Sequence, residues 1–356
     1  MPPQPLSRFG VDRGLRERLR RARPPRLAVG AFVAMILFVA LLLMAPWATA
    51  SGHPANPIDA FFTATSAVCV TGLTTVPTGE YWSNFGHVVI LLGIKVGGMG
   101  IMTIGALFTL LISRRLRLTQ RLLAATETRT GLGEVGSLVR SVALWSTGIE
   151  LVIAAMLIPR FSALGESTGE AVWHGVFYGI GAFNNAGFVP TPEGLAPFVK
   201  DGLVLMPIAL GVFVGALGHP ALLNIAHRLR HPRRWALTTK LTLAMSVALL
   251  VFSTVVITVQ LWHDPATFGP LSSADTVLNG LFAATMTRSG GFATVDVADL
   301  HPATMLLDMV LMLIGGGPVS TAGGIKVTTL AVMLLAIRAE VRGDRDIEAF
   351  RRSISP

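Results

Sequence analysis

Six long apolar stretches are the main feature of the hydropathy pattern along this chain. Each reaches the roughly 20 residues that a helix needs to cross the hydrocarbon core of a bilayer. They cover residues 27–49, 86–112, 139–158, 197–226, 236–262 and 304–338. The pattern therefore predicts an all-α, polytopic membrane fold with six membrane-spanning helices.

Three shorter apolar stretches lie between paired spans. They are too apolar for loops in water and too short to cross the bilayer. Irregular backbone survives at membrane depth only where protein or a water-filled cavity surrounds it, so we expect three re-entrant pore helices. Their residues are 58–70, 170–183 and 274–286. Near the start of each is an acid that suits the positive end of a helix dipole; these acids are Asp59, Glu170 and Asp275.

The composition agrees with lipid as the main solvent of the chain. Of its 356 residues, 52% are hydrophobic and 14% are charged, which is too apolar for an ordinary soluble protein of this size. The net charge of +9 does not indicate nucleic-acid binding, because the basic residues lie between the apolar stretches rather than on one polar surface. The single cysteine, Cys69, excludes an intramolecular disulfide.

Basic residues predict the orientation, because cytoplasmic loops retain Lys and Arg. Eight arginines precede the first span, and further basic clusters follow the second, fourth and sixth spans. We expect both termini in the cytoplasm and three parallel helix–hairpin–helix repeats, with a basic N-terminal arm that can touch lipid headgroups. The predicted divisions are the arm at 1–26, repeats at 27–112, 139–226 and 236–339, a cytoplasmic linker at 113–138, a cytoplasmic loop at 227–235 and a tail at 340–356.

Each predicted pore helix ends in a turn with a shared pattern, in which a small or polar residue, a glycine and a large apolar residue follow one another. Its recurrence roughly every hundred residues implies duplication. Backbone carbonyls can replace the water shell of a monovalent cation, and glycine lets the backbone approach an ion closely. The predicted ion-binding residues are Val70, Thr71, Gly72, Leu73, Asn185, Ala186, Gly187, Phe188, Ser289, Gly290, Gly291 and Phe292. The alternative, that these glycines only permit tight packing, stays open.

The sixth span is interrupted at residues 315–324, which contain five glycines and a proline. Such a run breaks a helix, and a break at mid-membrane must be sheltered by protein or a pore. A phosphate-binding loop needs glycine directly before lysine, whereas Ile325 separates Gly324 from Lys326 here. Nucleotide binding by this loop is therefore disfavoured, and a plain packing kink stays open.

Three segments resemble successive filter segments of the Trk/Ktr/HKT potassium transporters, and the nearest likeness is the bacterial Ktr/Trk-type membrane (pore) subunit. They are residues 65–73, 182–188 and 287–292. Residues 97–103 also resemble the first inner helix of that family. The resemblance extends from residue 27 to the C-terminus.

This resemblance implies potassium transport across the plasma membrane through a pseudo-fourfold pore. Glycine at all three turn positions favours K+ over Na+ by resemblance, Na+ is a second candidate ion, and no organic cofactor or enzymatic activity is implied. The family also implies a homodimer and a cytoplasmic nucleotide-binding regulatory subunit of the RCK/KTN type. The implied gate residues are Gly315, Gly316, Gly317, Pro318, Ser320, Thr321, Gly323 and Gly324.

Four charged residues fall within apolar segments, where charges are costly and should face protein or water. We expect Lys95 to pair with Glu150, although members of the resembled family more often carry an uncharged polar residue at the lysine position. Arg288 matches a basic residue of that family and is expected to brace the turn rather than to meet the ion. Asp308 is expected to cap the broken helix.

The sequence departs from the resembled family because no fourth repeat follows the sixth span. Three filter segments alone would leave carbonyl dipoles facing lipid, which costs several kcal/mol per unsatisfied group. We therefore expect a pore with one quarter missing. A truncated reading frame, a fragment and a subunit that needs a complementary piece all stay open.

Two further function classes also stay open. One is a secondary transporter of another solute that uses the broken sixth span as its binding helix, although such transporters have inverted halves and these repeats run parallel. The other is a non-conducting fragment of a potassium transporter. An enzyme is disfavoured, because no nucleophile with a neighbouring base is recognisable and the eight histidines show no metal-ligand spacing.

Overall fold

The structure, a computed structural model, is nearly all-helical. It describes residues 24–121, 132–343, 347–349 and 352–354. The helices are α1 (Pro24–Leu43), α2 (Pro57–Val68), α3 (Thr78–Tyr81), α4 (Asn84–Arg121), α5 (Leu132–Ala163), α6 (Thr168–Asn184), α7 (Gly202–Leu217), α8 (His219–His227), α9 (Leu237–Leu261), α10 (Ser273–Met286), α11 (Pro302–Met312) and α12 (Val327–Arg342). One short antiparallel hairpin pairs β1 (Ile347–Ala349) with β2 (Arg352–Ile354). Apart from this hairpin in the predicted tail, the predicted all-α fold is confirmed.

Three of the described helices are long and apolar enough to cross a membrane. They are Asn84–Ala106, Gly136–Ala163 and Leu237–Leu261. A fourth crossing results if α7 and α8 are taken together, although they are bent by 99°. Shorter apolar helices, Val29–Leu43 and Pro302–Met312, occupy the first and sixth predicted spans. The second, third and fifth predicted spans are therefore single long helices, and the other three are shorter or interrupted.

Short helices α2, α6 and α10 lie at the three stretches where pore helices are expected, and polar side chains fix where they begin. A reciprocal capping box of Ser167 and Glu170 opens α6, and Ser272 accepts a hydrogen bond from the N–H of Asp275 at the start of α10. Asp59 lies in the first turn of α2. Hydrogen bonds from Ser167 lower the pKa of Glu170, so its carboxylate stays charged beside the positive end of the helix dipole.

Buried aromatic side chains join neighbouring repeats into one core. Phe177 and Phe188 of the second predicted repeat pack into the cluster formed by α1, α2 and α4 of the first. Phe282 and Phe292 of the third pack into the cluster around α5, α6 and α7. Large apolar side chains on the outer helices stay exposed, for example Leu151. This is the distribution expected of a protein whose outer surface faces lipid.

A glycine bends the fourth predicted span. Gly218 separates α7 from α8 with φ 87° and ψ 146°, a conformation that glycine alone adopts readily. A methyl group added to Gly218 would also overlap the carbonyl oxygen of Pro318. The stretch 197–226, predicted as one span from its length and hydropathy, is therefore two helices that meet at a sharp corner.

The loop at residues 315–324 fills this corner and pairs its exposed backbone groups. Helix ends leave carbonyls and N–H groups without intrahelical partners. Here the N–H of Gly317 donates to the carbonyl of Ala216 at 2.7 Å, and the N–H of His219 donates to the carbonyl of Val319 at 3.2 Å. The bend of α7 and α8 and the interruption of the sixth span are therefore parts of one hydrogen-bonded unit.

We predict that Gly218→Ala destabilises the protein more than Gly52→Ala. Both glycines have positive φ, 87° and 72°, so each substitution carries a backbone cost of about 1–3 kcal/mol. A methyl group at Gly52 meets no atom within 4 Å, whereas one at Gly218 meets the 315–324 loop. Thermal unfolding of the two variants in detergent measures the difference. Equal midpoints would contradict the tight contact between the bend and the loop.

Candidate functional site

The three predicted glycine turns lie against one another. A methyl group built on Gly72 would overlap the carbonyl oxygen of Ala186 and lie 3.2 Å from the Cα of Gly187. A methyl group built on Gly187 would lie 2.9 Å from the Cα of Gly291. Segments far apart in the sequence are thus in backbone contact. We name them turn 1 (residues 70–73), turn 2 (residues 185–188) and turn 3 (residues 289–292).

Within the part of the chain that the structure describes, the turns form an open row rather than a closed ring. Turn 2 lies in the middle, because a methyl group on Gly291 would meet only Gly187 within 4 Å. The large apolar residues after the glycines differ in burial. Phe188 and Phe292 are 1% and 3% exposed, whereas Leu73 is 62% exposed. The core therefore anchors turns 2 and 3, while turn 1 leaves its apolar side chain at the surface.

All three turns share one backbone signature, in which the glycine and the residue two positions before it have positive φ while the residue between them does not. The three turns thus present their backbone groups in one repeated arrangement, which suits an ion site built from matching carbonyl-bearing segments. A β-branched residue such as Val70 adopts positive φ only when its surroundings impose it. The φ values are 54° and 82° at Val70 and Gly72, 58° and 69° at Asn185 and Gly187, and 70° and 76° at Ser289 and Gly291.

The electrostatic field at the turns comes from backbone dipoles. At most two residues separate the ends of helices α2, α6 and α10 from turns 1, 2 and 3, and the C-terminal end of a helix carries partial negative charge. No turn contains an acidic or basic residue. Among the described residues, no group of three or more His, Cys, Asp and Glu side chains could hold a metal ion. The ligands that this site offers to a cation are therefore neutral oxygens.

Glycines on α4 allow this helix to pack against both turn 1 and turn 2. A methyl group on Gly97 would overlap the carbonyl oxygen of Val68, the last residue of α2. One on Gly98 would overlap the side chain of Asn184, the last residue of α6. The glycine-rich motif noted at residues 97–103 thus has a steric explanation, because α4 lies between the ends of two of the short helices.

Glycines on α7 have the same effect at turn 2. A methyl group on Gly211 would lie 2.8 Å from the Cβ of Ala182, and one on Gly215 would overlap the carbonyl oxygen of Phe183. These two glycines form the GxxxG pair of α7, a spacing that is typical of close helix contact. The pair therefore serves packing against the end of α6.

Residues 315–324, for which the family resemblance implies a gate, form a loop whose two ends are joined by backbone hydrogen bonds. The N–H of Gly315 donates to the carbonyl of Ile325 at 2.9 Å, and the N–H of Ile325 donates to the carbonyl of Leu313 at 2.9 Å. These bonds hold the end of α11 next to the start of α12. The sixth predicted span is therefore two helices joined by a structured loop.

Side chains connect this loop to turns 2 and 3. The Thr321 hydroxyl donates to Asn185 Oδ1 at 3.2 Å, and the N–H of Gly323 donates to Ser289 Oγ at 3.3 Å. Asn185 Nδ2 donates to the backbone carbonyl of Arg288 at 3.4 Å, so one buried amide links turn 2 to turn 3 and to the loop. Sequence reasoning selected Asn185 for its carbonyl and missed this side-chain role.

The charged residues of the apolar segments have distinct surroundings. Lys95 and Glu150 form the predicted pair, with 2.5 Å between Nζ and Oε2. Arg288 is buried and donates from Nη1 to the carbonyl of Ser246 on α9 at 2.8 Å, which agrees with the expected bracing role. Asp308 lies inside α11, away from both ends of the helix. The prediction that Asp308 caps the broken helix is therefore wrong, because His301 caps the start of α11 and Asp308 Oδ1 has no hydrogen-bond partner among the described residues.

Comparison with known proteins assigns the chain to a family. Residues 33–355 match the family described as TrkH, cation transport protein. The chain belongs to this cation transport family. The Trk/Ktr resemblance seen in the turns is thereby confirmed, and so is the assignment as a membrane protein. Because the family consists of transport proteins, the expectation that the chain is not an enzyme is also confirmed.

Curated relatives match almost the whole chain. It is 35% identical over 340 residues to the Ktr system potassium uptake protein B of Bacillus subtilis (strain 168), a match that covers 94% of this chain and 74% of that protein. The Ktr system potassium uptake protein B of Vibrio alginolyticus is 32% identical, with 98% and 76% covered. The potassium/sodium uptake protein NtpJ of Enterococcus hirae is 30% identical, with 96% and 75% covered.

A solved structure shares the fold. The potassium transporter TrkH from Vibrio parahaemolyticus superimposes with a TM-score of 0.67 at 16% sequence identity, covering 92% of this chain and 66% of that one. At this identity the likeness concerns the fold alone. The chain thus has the architecture of a membrane transporter over nearly all of its length and corresponds to part of that larger structure.

We predict that Asn185→Ala and Thr321→Val act non-additively on stability. Each substitution removes the hydrogen bond between turn 2 and the loop, so the double variant loses that contact only once, and coupling of about 0.5–3 kcal/mol is expected for groups in contact. Unfolding of the two single variants and the double variant measures it. Thr254→Val is the matched control, because the Thr254 hydroxyl bonds only within α9. Additive effects for Asn185 and Thr321 would contradict the link.

Proposed function

We propose that this chain is the membrane subunit of a potassium uptake system and passes K+ passively down its electrochemical gradient. The contact of three neutral glycine turns with one alternating backbone handedness is the observation that carries the proposal. The names of the relatives, two Ktr system potassium uptake proteins and a potassium/sodium uptake protein, support it.

Carbonyl oxygens of the three turns replace the water shell of the ion in this proposal. Because the turns carry no charged side chain, the attraction comes from peptide dipoles and from the C-terminal ends of α2, α6 and α10. Such a field draws a cation in and still releases it, which conduction requires. Glycine at positions 72, 187 and 291 adopts the left-handed backbone readily, and the lack of a side chain leaves the path free at these positions.

K+ is the proposed ion, and Na+ is the second candidate. Glycine at all three turns favours K+ by family resemblance, whereas one relative is named for both ions. A filter built for K+ keeps its K+ flux when Na+ is in excess, while a filter open to both ions loses K+ flux to competition. Uptake measured with both ions present therefore distinguishes the two.

A fourth turn completes the ring of oxygens in this proposal. Turns 1 and 3 are the ends of an open row among the described residues, and Leu73 of turn 1 is exposed. Carbonyl groups on the open side would face lipid at a cost of several kcal/mol for each unsatisfied group. Further sequence of the same polypeptide or a second polypeptide can supply this side.

The loop at residues 315–324 is proposed as the gate. Its hydrogen bonds to Asn185 and Ser289 hold it against turns 2 and 3, and its bonds to Ala216 and His219 hold it in the corner between α7 and α8. Each such bond contributes about 0.5–1.5 kcal/mol net. The loop can therefore be displaced by a modest input of free energy, for example from a regulatory partner.

We also propose the surroundings of the chain: the plasma membrane, both termini in the cytoplasm, and a homodimer. Exposed arginines between α8 and α9 offer a basic surface to a cytoplasmic nucleotide-binding regulatory subunit of the RCK/KTN type. They are Arg228, Arg230, Arg233 and Arg234. The basic arm at residues 1–26, nearly all of which lies outside the described residues, is proposed to contact anionic lipid headgroups.

Growth of a host that lacks its own potassium uptake systems tests the proposed function. We expect the chain, expressed together with the sequence that supplies the fourth turn, to restore growth at limiting K+ and to give Rb+ uptake that K+ inhibits. Stimulation of uptake by an organic solute instead would favour a secondary transporter. Absence of any K+ or Rb+ uptake by a chain that reaches the membrane would contradict the proposal and favour a non-conducting fragment.

Gly187→Ala is predicted to abolish this uptake. The substitution places a methyl group 2.9 Å from the Cα of Gly291 at a residue with φ 69°, so turn 2 must move away from turn 3. Gly181→Ala is the control. Gly181 also lies near the end of α6, but a methyl group added there would have the Phe292 ring as its nearest neighbour, at 3.4 Å. Rb+ uptake per amount of membrane protein is the measurement. Equal loss in both variants would contradict the assigned role of turn 2.

Thr321→Val is predicted to raise Rb+ uptake about fivefold, the factor that corresponds to roughly 1 kcal/mol, because one hydrogen bond holding the gate closed is lost. Thr254→Val is expected to leave uptake unchanged, since the Thr254 hydroxyl donates to the Leu250 carbonyl of its own helix. Initial rates at saturating Rb+ provide the comparison. Reduced uptake in Thr321→Val would show that the contact supports the pathway rather than closing it.

A further inference from the structure

A chain of buried polar groups connects α4 and α5 to turn 2. Lys95 Nζ on α4 lies 2.5 Å from Glu150 Oε2 on α5. The other carboxylate oxygen, Glu150 Oε1, accepts a hydrogen bond from Asn184 Nδ2 at 2.9 Å. Asn184 is the last residue of α6 and directly precedes Asn185 of turn 2. Glu150 and Asn184 are 3% and 0% exposed, whereas the Lys95 side chain is 17% exposed, so the part of the connection nearest turn 2 is sealed from solvent and lipid.

Lys95, the first of these linked polar groups, is fully hydrogen-bonded. Besides Glu150, Lys95 Nζ donates to Ser146 Oγ at 3.1 Å and to Thr147 Oγ1 at 3.0 Å. A buried ion pair is rarely more stabilising than well-packed apolar residues of the same size. The stability of the protein alone therefore does not explain why Lys95 and Glu150 are charged. Holding the hydrogen-bonded side chains in one position does.

The carboxylate of Glu150 determines how the Asn184 amide is oriented. Nδ2 donates to Glu150 and to the Ile180 carbonyl of its own helix at 2.9 Å, while Oδ1 has no hydrogen-bond partner among the described residues. Gly98 of α4 lies so close that a methyl group there would overlap Oδ1. The side chain is thus held between α4 and α5 in one position.

The corresponding position of turn 3 has a similar attachment. Asn184 and Arg288 each lie three residues before the glycine of their turn, Gly187 and Gly291. Arg288 donates to the Ser246 carbonyl of α9, just as Asn184 donates to a group on α5. In each case the residue before the strained backbone is tied to the preceding long helix of the same predicted repeat. Two independent attachments at matched positions indicate that each holds the start of its turn in place.

We propose that the Lys95–Glu150 pair positions turn 2 through Asn184 and thereby contributes to the choice between K+ and Na+. Asn185 and Gly187 have left-handed backbone, which persists only when the surroundings over-determine it. Asn184 provides one such constraint at the first residue before the turn. Releasing it lets the turn 2 carbonyls relax and fit a smaller ion as well. This inference rests on the proposed function, because it concerns the selectivity of the same site.

Four variants of the full chain test this role in cells that lack their own potassium uptake. Asn184→Leu keeps both charges but removes the donor to Glu150. Glu150→Gln weakens the acceptor and leaves Lys95 without its counter-charge. The exchange of Lys95→Glu with Glu150→Lys restores an ion pair but places a cation, which cannot accept a hydrogen bond, beside Asn184. Glu166→Gln is the control, because it removes the charge of a glutamate whose contact, His174, lies outside this series of polar groups.

Uptake of K+ and Na+ at matched concentrations, divided by the amount of protein in the membrane, is the readout. We expect the K+ to Na+ ratio to fall about tenfold in Asn184→Leu, as loss of one buried hydrogen bond implies, and to fall less in Glu150→Gln, where the hydrogen bond is weakened rather than lost. Glu166→Gln is expected to keep the ratio. The charge exchange is expected to recover protein amount relative to Glu150→Gln without recovering the ratio.

Opposite results separate the inference from the proposed function. If the variants lower only the protein amount and keep the K+ to Na+ ratio of the unaltered chain, the positioning role is wrong and potassium transport stands. If Asn184→Leu keeps the ratio while Glu150→Gln lowers it, the hydrogen bond to Asn184 is not what sets selectivity, and the proposal is overturned. If the unaltered chain itself carries no K+, the proposed function fails and this inference fails with it.

Discussion

Backbone contact among the three glycine turns is the constraint on which the rest of the structure depends. A Cβ atom on Gly72 of turn 1 would overlap the Ala186 carbonyl oxygen of turn 2, and one on Gly187 of turn 2 would lie 2.9 Å from the Gly291 Cα of turn 3. Such contact requires left-handed backbone at matched positions, and this backbone is strained wherever the residue is not glycine. The surrounding elements can therefore be understood as the means by which that conformation is held in the membrane.

Three kinds of contact hold it. Glycines on α4 and α7 let these helices approach the ends of α2 and α6, and Phe188 and Phe292 anchor turns 2 and 3 in the core. Hydrogen bonds from the 315–324 loop reach the same two turns. The loop is itself fixed in the corner that Gly218 creates between α7 and α8. A displacement of the loop is thus coupled to the turns and to the bent helices.

Local pattern in the sequence was sufficient for the second, third and fifth spans, the short helices with their acidic first turns, and the repeated turns, because each depends on residues close to one another along the chain. Contacts between distant residues were not accessible in the same way. The bend at Gly218 depends on Pro318, and the side-chain role of Asn185 depends on Thr321. The Lys95–Glu150 pair was predicted from the free-energy cost of a charge in lipid. The hydrogen bond from Asn184 to Glu150 was visible only in the three-dimensional structure. The cap expected at Asp308 was wrong for the same reason.

The location of a bound cation tests the central claim most directly. Anomalous scattering from crystals of the purified protein grown in Rb+ would show where the ion binds. We expect a peak beside turns 1, 2 and 3, within coordination distance of backbone carbonyls of residues 70–73, 185–188 and 289–292 and without a charged side chain among its ligands. A peak held by side chains elsewhere, or three turns with no ion between them at saturating Rb+, would contradict the account.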